Sequence, residues 1–215
     1  MAASLVEVNA RFSNRVTRLS TAFTSFEIVR GGRNIYERWA AQEGFLSSLW
    51  QAWCSFCRET IILSCRGTTT QAGINTTCPF SHHTEAEILF IAKCLANNSM
   101  PNHIRAIPGM YAEPTWGDVT KIPKILLGLA PSNVNTMATA FSAITLAVDL
   151  QIVRNTCSHL NRENISSINA IKVKYDNNKF KHPSDAMFWI DPVTHNFAWQ
   201  SWILEFRVAA NEAIK

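Results

Sequence analysis

Val134 to Leu160 reads VNTMATAFSAITLAVDLQIVRNTCSHL, and in it Val134, Met137, Phe141, Ile144, Val148 and Ile152 recur at intervals of 3, 4, 3, 4 and 4. Positions spaced in this way share one side of an α-helix. The spacing therefore predicts one long helix over the whole stretch. Its stripe then changes character, because the same count carries Asn155 and, one turn on, His159, with Arg154 beside them. A face packed on other helices stays apolar, since burying an amide or an imidazole costs free energy unless each finds a partner. Polar groups at this place either satisfy a helix end, where histidine meets free carbonyls and the helix dipole, or they form a site.

The flanking sequence is also helical in pattern. Phe12, Val16, Leu19, Phe23 and Phe26 form a stripe in a first helix from Val8 to about Val29, with Arg11, Arg15 and Arg18 on the other face and Gly31-Gly32 as its stop. A second helix follows Asn34, a candidate N-cap, and runs to about Cys65 with Ile35, Trp39, Leu46, Leu49, Trp53 and Phe56 on one seam. Gln42 holds the polar register position of that seam, and Gly44 marks a possible bend. After a loop from Arg66 to His83, a third helix is expected from Thr84 to about Asn97, with Ile88, Ile91 and Leu95 inside. A last helix spans about Phe197 to Ile214 through Trp199, Trp202, Phe206, Ala209 and Ala213.

Two regions resist a regular reading. Residues 100–133 hold five of the eight prolines, with Trp116 and an apolar patch from Ile122 to Leu129, and read as a loop, a flap or a short capped helix. Residues 166–196 read as an irregular excursion in which Ile168 to Tyr175 alternates weakly, as a short hairpin would, and His182 to Asn196 forms a packed loop. The expected fold is all-α, an up-and-down helical bundle of one domain over residues 1–215, with a long loop insertion and a C-terminal helix.

Composition narrows the function. The chain has 215 residues, a net charge of +4, seven Trp and twelve Phe, enough for a substantial aromatic core. No charged and then apolar leader opens it, and its most apolar window falls short of the roughly 20 residues that cross a bilayer. Six cysteines dispersed through helical patterns read as reduced thiols, so a cytoplasmic protein without membrane association is expected. The basic bias concentrates after Val153, where Arg154, Arg162, Lys172, Lys174, Lys179 and Lys181 face only Glu163 and Asp176 up to residue 181. Lys172, Lys174, Lys179 and Lys181, interleaved with Tyr175 and Phe180, suit an RNA backbone with a stacked base; lysines on a solvated polar hairpin are the other reading.

The string Arg154-Asn155-Thr156-Cys157-Ser158-His159 resembles the R-N-x-x-x-H signature of HEPN-domain ribonucleases. That resemblance implies a helical bundle that dimerises so that two motifs face each other, and a metal-independent endoribonuclease needing no cofactor. Arg154, Asn155 and His159 would be its catalytic residues. In such chemistry the 2′-OH of the RNA attacks the adjacent phosphate, giving a 2′,3′-cyclic phosphate and a 5′-OH, and an imidazole titrating near pH 6.5 serves as base or acid. Arg154 would stabilise charge on the phosphorane, and Asn155 would orient His159 or bond a phosphate oxygen. On an ideal helix Arg154 and His159 lie about 140° apart, so a long arginine side chain or a second subunit must bring them together. The family's settings imply a toxin or phage-defence effector held in check by a nucleotidyltransferase-type antitoxin. The alternative is a non-catalytic helical RNA-binding or protein-interaction domain.

Other constellations compete less well. Cys54-x-x-Cys57 with Cys78 and His82 or His83 has zinc-like spacing but lies on an aromatic helix stripe without a Gly or Pro knuckle, so core thiols are expected there and no metal site. Arg58, Glu59 and Arg66 close the second helix, either as a solvated face or turned toward the motif helix. The chain lacks G-x-x-x-x-G-K-[ST], H-E-x-x-H and G-x-S-x-G, which leaves nucleoside triphosphatase, zinc protease and hydrolase-elbow chemistry without support.

Overall fold

Aromatic stripes at helical spacing fold the chain as helices, in a computed structural model that describes residues 3–215. Helix α1 (Leu5–Val29) buries Phe12, Val16, Phe23 and Phe26 and turns into a single 3₁₀ turn at Arg30–Gly32. Helix α2 (Ile35–Arg66) begins where the Asn34 side chain accepts from the Tyr36 N–H at 2.8 Å. Helix α3 (Glu85–Ala96) starts in a capping box between Thr84 and Glu87 and buries Ile88, Ile91 and Leu95. The order continues as α4 (Ile122–Leu129), α5 (Val134–Ser142), α6 (Ala147–Ser158), α7 (Arg162–Ile171) and α8 (Ala198–Ala213). No β-strand occurs among the described residues, only isolated bridges between Thr69 and Asn75, Asp176 and Ile190, and Ile190 and Phe197. The fold is all-α, as the periodicity requires.

The chain divides into two compact units. The first contains the described residues up to Ser13, Trp53–Ile144 and Val208–Lys215. Its centre is aromatic: Phe12, Trp53 and Phe56 pack with ring centroids 5.0 to 6.0 Å apart, and Phe141 meets Trp53 edge-on at 5.7 Å. Burying each such ring contributes about 1.5–3 kcal/mol. Helix α4 packs on α3 and α5. The loop after α2 is a tight turn, with Gly67 and Gly73 in the left-handed region. It receives the Leu5 N–H at Thr69 O and donates the Gln71 N–H to Ile214 O at 2.7 Å.

The second unit comprises Asn14–Ala52 and Thr145–Arg207. Phe23 lies at its centre, stacked on Phe188 and on Trp199 at 5.3 Å each, with Phe45 and Phe197 edge-on at 6.2 Å. Helix α6 packs on α7 and on the 3₁₀ segment Pro183–Phe188.

Two expectations are corrected. The stretch from Val134 to Leu160 is two helices, because the chain breaks at residues 143–146. Glu205 of α8 takes the place of helical partners there, its carboxylate accepting the Thr145 and Leu146 N–H groups at 2.8 Å. The break resets the helical phase, so α6 buries Ala147, Leu150 and Val153, while Val148 is exposed. Secondly, residues 162–171 form α7, capped by Asn161 accepting from the Asn164 N–H at 2.8 Å, and a 3₁₀ turn at Lys172–Lys174 replaces the hairpin. At the end of α2, Arg66 and Glu59 lie on the solvated face, while Arg58 is partly buried. Arg58 bonds both Glu113 (2.7 Å) and Glu85 (3.0 Å), Arg66 bonds Glu85, and Glu59 pairs with Arg11.

Candidate functional site

The second unit carries all the residues singled out for RNA chemistry. Helix α6 ends at Ser158, and His159 is its C-cap, its N–H donating to Asn155 O at 2.9 Å. The chain then turns sharply, held where Asn164 Nδ2 donates to His159 O at 2.7 Å. The His159 imidazole is exposed and makes no hydrogen bond. One turn back, Arg154 Nη1 donates to Asn155 Oδ1 at 3.1 Å, while Arg154 Nε is buried without a partner. The structure thus joins Arg154 to Asn155 and leaves His159 apart from them, because it has left the helix that would have stacked it over Asn155.

Between them, Cys157 faces the interior toward Glu43 of α2 and His182. One ligating atom from each of the three lies within 4.8 Å of the others. The His182 ring stacks on Trp39 with centroids 4.8 Å apart. Its Nε2 lies 3.3 Å from Glu43 Oε1 and its Nδ1 2.8 Å from Ser184 Oγ, which in turn donates to the buried Gln42 Oε1 at 2.7 Å. Burial, reinforced by the carboxylates of Glu43 and Asp185, pushes the Cys157 thiol up to about 12. The polar register position at Gln42 is visible in the sequence, but Glu43 and His182 are 139 positions apart and no spacing rule joins them.

A second feature is a basic cavity of 820 Å³ lined by Arg30, Lys172, Lys179, Lys181, Phe180 and Asp185, among others. Asp185 is the single carboxylate in that lining, and it is occupied in accepting the Lys181 and His182 N–H groups at 3.0 Å. Arg30 lies over the Phe188 ring at 3.8 Å, Phe180 is half-buried against Trp189, and Asn178 Nδ2 braces the wall by donating to Lys172 O and Tyr175 O. Of the four lysines read from the sequence, Lys172, Lys179 and Lys181 line the cavity; Lys174 and Tyr175 turn to Asp149 instead. Arg30 comes into this group unannounced, because it lies more than a hundred positions away at the end of α1.

The zinc-like spacing of Cys54, Cys57, Cys78 and His82 or His83 does not become a cluster: among the described residues the single group with metal-ligand geometry is Glu43, Cys157 and His182. Cys57 is buried in α2, and Cys78 donates its thiol to Leu129 O at 3.1 Å. No single helix among the described residues is long and apolar enough to cross a membrane. No protein-family model, curated protein or solved structure matches the chain.

Proposed function

We propose that the protein binds single-stranded RNA through the basic cavity of its second unit. The observation that carries this reading is the lining itself, four cations against one internally satisfied carboxylate around a half-exposed phenyl ring. Phosphates are held by such charges largely through counterion release, and any base can stack on an aromatic face, so a strand is recognised with little sequence preference. Helix α6, which bears Arg154 and Asn155 and ends at His159, packs against both α7 and the Pro183–Phe188 segment, which contribute to the cavity wall.

Fluorescence anisotropy of a labelled RNA strand against salt concentration tests this. Joint replacement of Lys172, Lys179 and Lys181 by Ala is expected to weaken binding at least about 10-fold and to flatten the salt slope by about 2, near 0.7 for each phosphate no longer neutralised. An unchanged slope would remove the cavity from RNA binding.

A second reading is favoured by the exposed imidazole of His159, which makes no hydrogen bond, at the end of the helix that carries the bonded Arg154 and Asn155. Here the bound RNA is also cut at its 2′-OH, with two copies of the chain supplying two imidazoles as base and acid in a homodimer. This agrees with the HEPN-like motif and with a toxin or defence role. Cleavage that persists in excess EDTA, requires the 2′-OH and disappears in His159→Ala supports it. Absence of cleavage by dimeric wild-type protein on RNA that it binds leaves binding as the activity.

A further inference from the structure

We propose that Glu43, Cys157 and His182 form a binding site for a divalent transition metal of zinc type. The ligands are the carboxylate, the thiolate and imidazole Nε2, with the fourth position left for water. Three elements converge to make it: the third turn of α2, the last turn of α6 and the residue that opens the 3₁₀ segment Pro183–Phe188. Ligand atoms about 2.0–2.3 Å from a tetrahedral zinc lie about 3.3–3.8 Å from each other. Glu43 Oε1 and His182 Nε2 already stand 3.3 Å apart, and Cys157 Sγ lies within 4.8 Å of both. The remaining closure is within the reach of a side-chain rotation.

The surroundings fit a ligand set and not merely a polar contact. Ser184 holds the ring through two contacts at Nδ1, its Oγ at 2.8 Å and its backbone N–H, which donates at 3.3 Å, while the same Oγ donates to Gln42 Oε1. These contacts fix the ring plane and turn Nε2 toward Glu43 Oε1, 3.3 Å away. Bracing of this kind from a second layer orients a metal-bound histidine. Trp39 covers one face of the ring and keeps it from swinging out, while the Glu43 side chain, 42% exposed, leaves an entry path from solvent. Cysteine, histidine and carboxylate together are a borderline-soft set that selects zinc or cobalt over magnesium or calcium.

The probes are Zn²⁺ and Co²⁺ added to chelator-treated, dialysed full-length protein. Expected results are one zinc per chain by elemental analysis and, with Co²⁺, a sulfur-to-cobalt charge-transfer absorption. That absorption disappears in Cys157→Ser and survives in Cys78→Ser. Ser184→Ala, which removes the hydroxyl that braces the His182 ring and bonds Gln42, weakens Co²⁺ binding about 10- to 100-fold. Because a variant can fail to fold, the wild type is also footprinted, and Zn²⁺ is expected to protect Cys157 from alkylation while Cys94 reacts as before.

The proposal is overturned if metal binds without a thiolate signature, if Cys157→Ser keeps the cobalt band, or if zinc leaves Cys157 alkylation unchanged. In each of those cases Glu43 and His182 are an ion pair sharing a proton. None of these readouts involves RNA, so the result stands apart from the binding and cleavage assays.

Discussion

The ammonium of Lys174 lies 2.8 Å from Oδ1 of Asp149, a side chain with no exposed surface. Tyr175 donates its hydroxyl to the other carboxylate oxygen at 2.8 Å, and burial followed by the Asp149 charge raises that hydroxyl well above the ordinary tyrosine range. Removing the ammonium leaves a buried carboxylate with a single neutral donor. Lys174→Ala is therefore expected to destabilise the fold by about 1–3 kcal/mol, the lower end being set by the half-exposure of the lysine. Its RNA affinity should match wild type. Thermal denaturation and anisotropy on one preparation separate these effects, and a Lys174 variant that melts normally but loses RNA would return this residue to the binding surface.

Phe180 is the stacking residue of the proposed cavity. Base stacking on an aromatic ring is worth about 1–3 kcal/mol, so Phe180→Ala should weaken single-stranded RNA binding by about 5- to 150-fold. Its salt slope should stay that of wild type, because no charge is lost. Phe180→Trp should bind at least as well as wild type.

The thiol of Cys157, pushed up to about 12 by burial and by Glu43 and Asp185, sets a pH dependence. A raised value means the reactive thiolate is scarce at neutral pH and grows about tenfold per pH unit through pH 9, where an ordinary thiol near 8.5 is already levelling off. In chelator-treated protein the alkylation rate of Cys157 should rise without a plateau across that range. Glu43→Gln removes one of the opposing charges and should speed the reaction at a given pH.

Gly128 of α4 faces α3 so closely that an added Cβ would sit 2.3 Å from Leu95 Cδ2 and 2.9 Å from Leu95 Cγ. Alanine would favour the helix by about 1 kcal/mol, but displacing a whole leucine head costs about 1–3 kcal/mol. Gly128→Ala should thus lower the melting temperature despite its better propensity. In the double variant with Leu95→Ala, the added penalty from Gly128→Ala should vanish.

Helices α1, α2, α3 and α8 are legible in the sequence to within three residues, because each carries a long aromatic or aliphatic stripe and a local stop or cap. The break within residues 134–160 is not, since its cause is Glu205, some sixty positions away, and the apolar stripe runs through the break undisturbed. Helix α7 escapes the reading because its sequence, RENISSINAI, is mostly polar and its signal is a single capping asparagine. At the site, the basic run after α6 shows where cations gather. It does not show that Lys174 is drawn off to Asp149, or that Arg30 joins from α1. The Glu43–Cys157–His182 cluster depends on tertiary convergence alone.

The two units also interleave along the chain. The described residues up to Ser13 belong with Val208–Lys215, and the stretch from Asn14 to Ala52 belongs with Thr145–Arg207. On the ribosome, domains made of consecutive residues can fold one after another as they emerge. Here that sequence of events is closed off, because the loop that receives the Leu5 N–H also needs the carbonyl of Ile214, made more than two hundred residues later. The opening turns of α1 must wait for residues 208–215 before their own unit is complete, and a chain interrupted before Val208 leaves Asn9 without Asn211, to which its side chain donates at 2.7 Å.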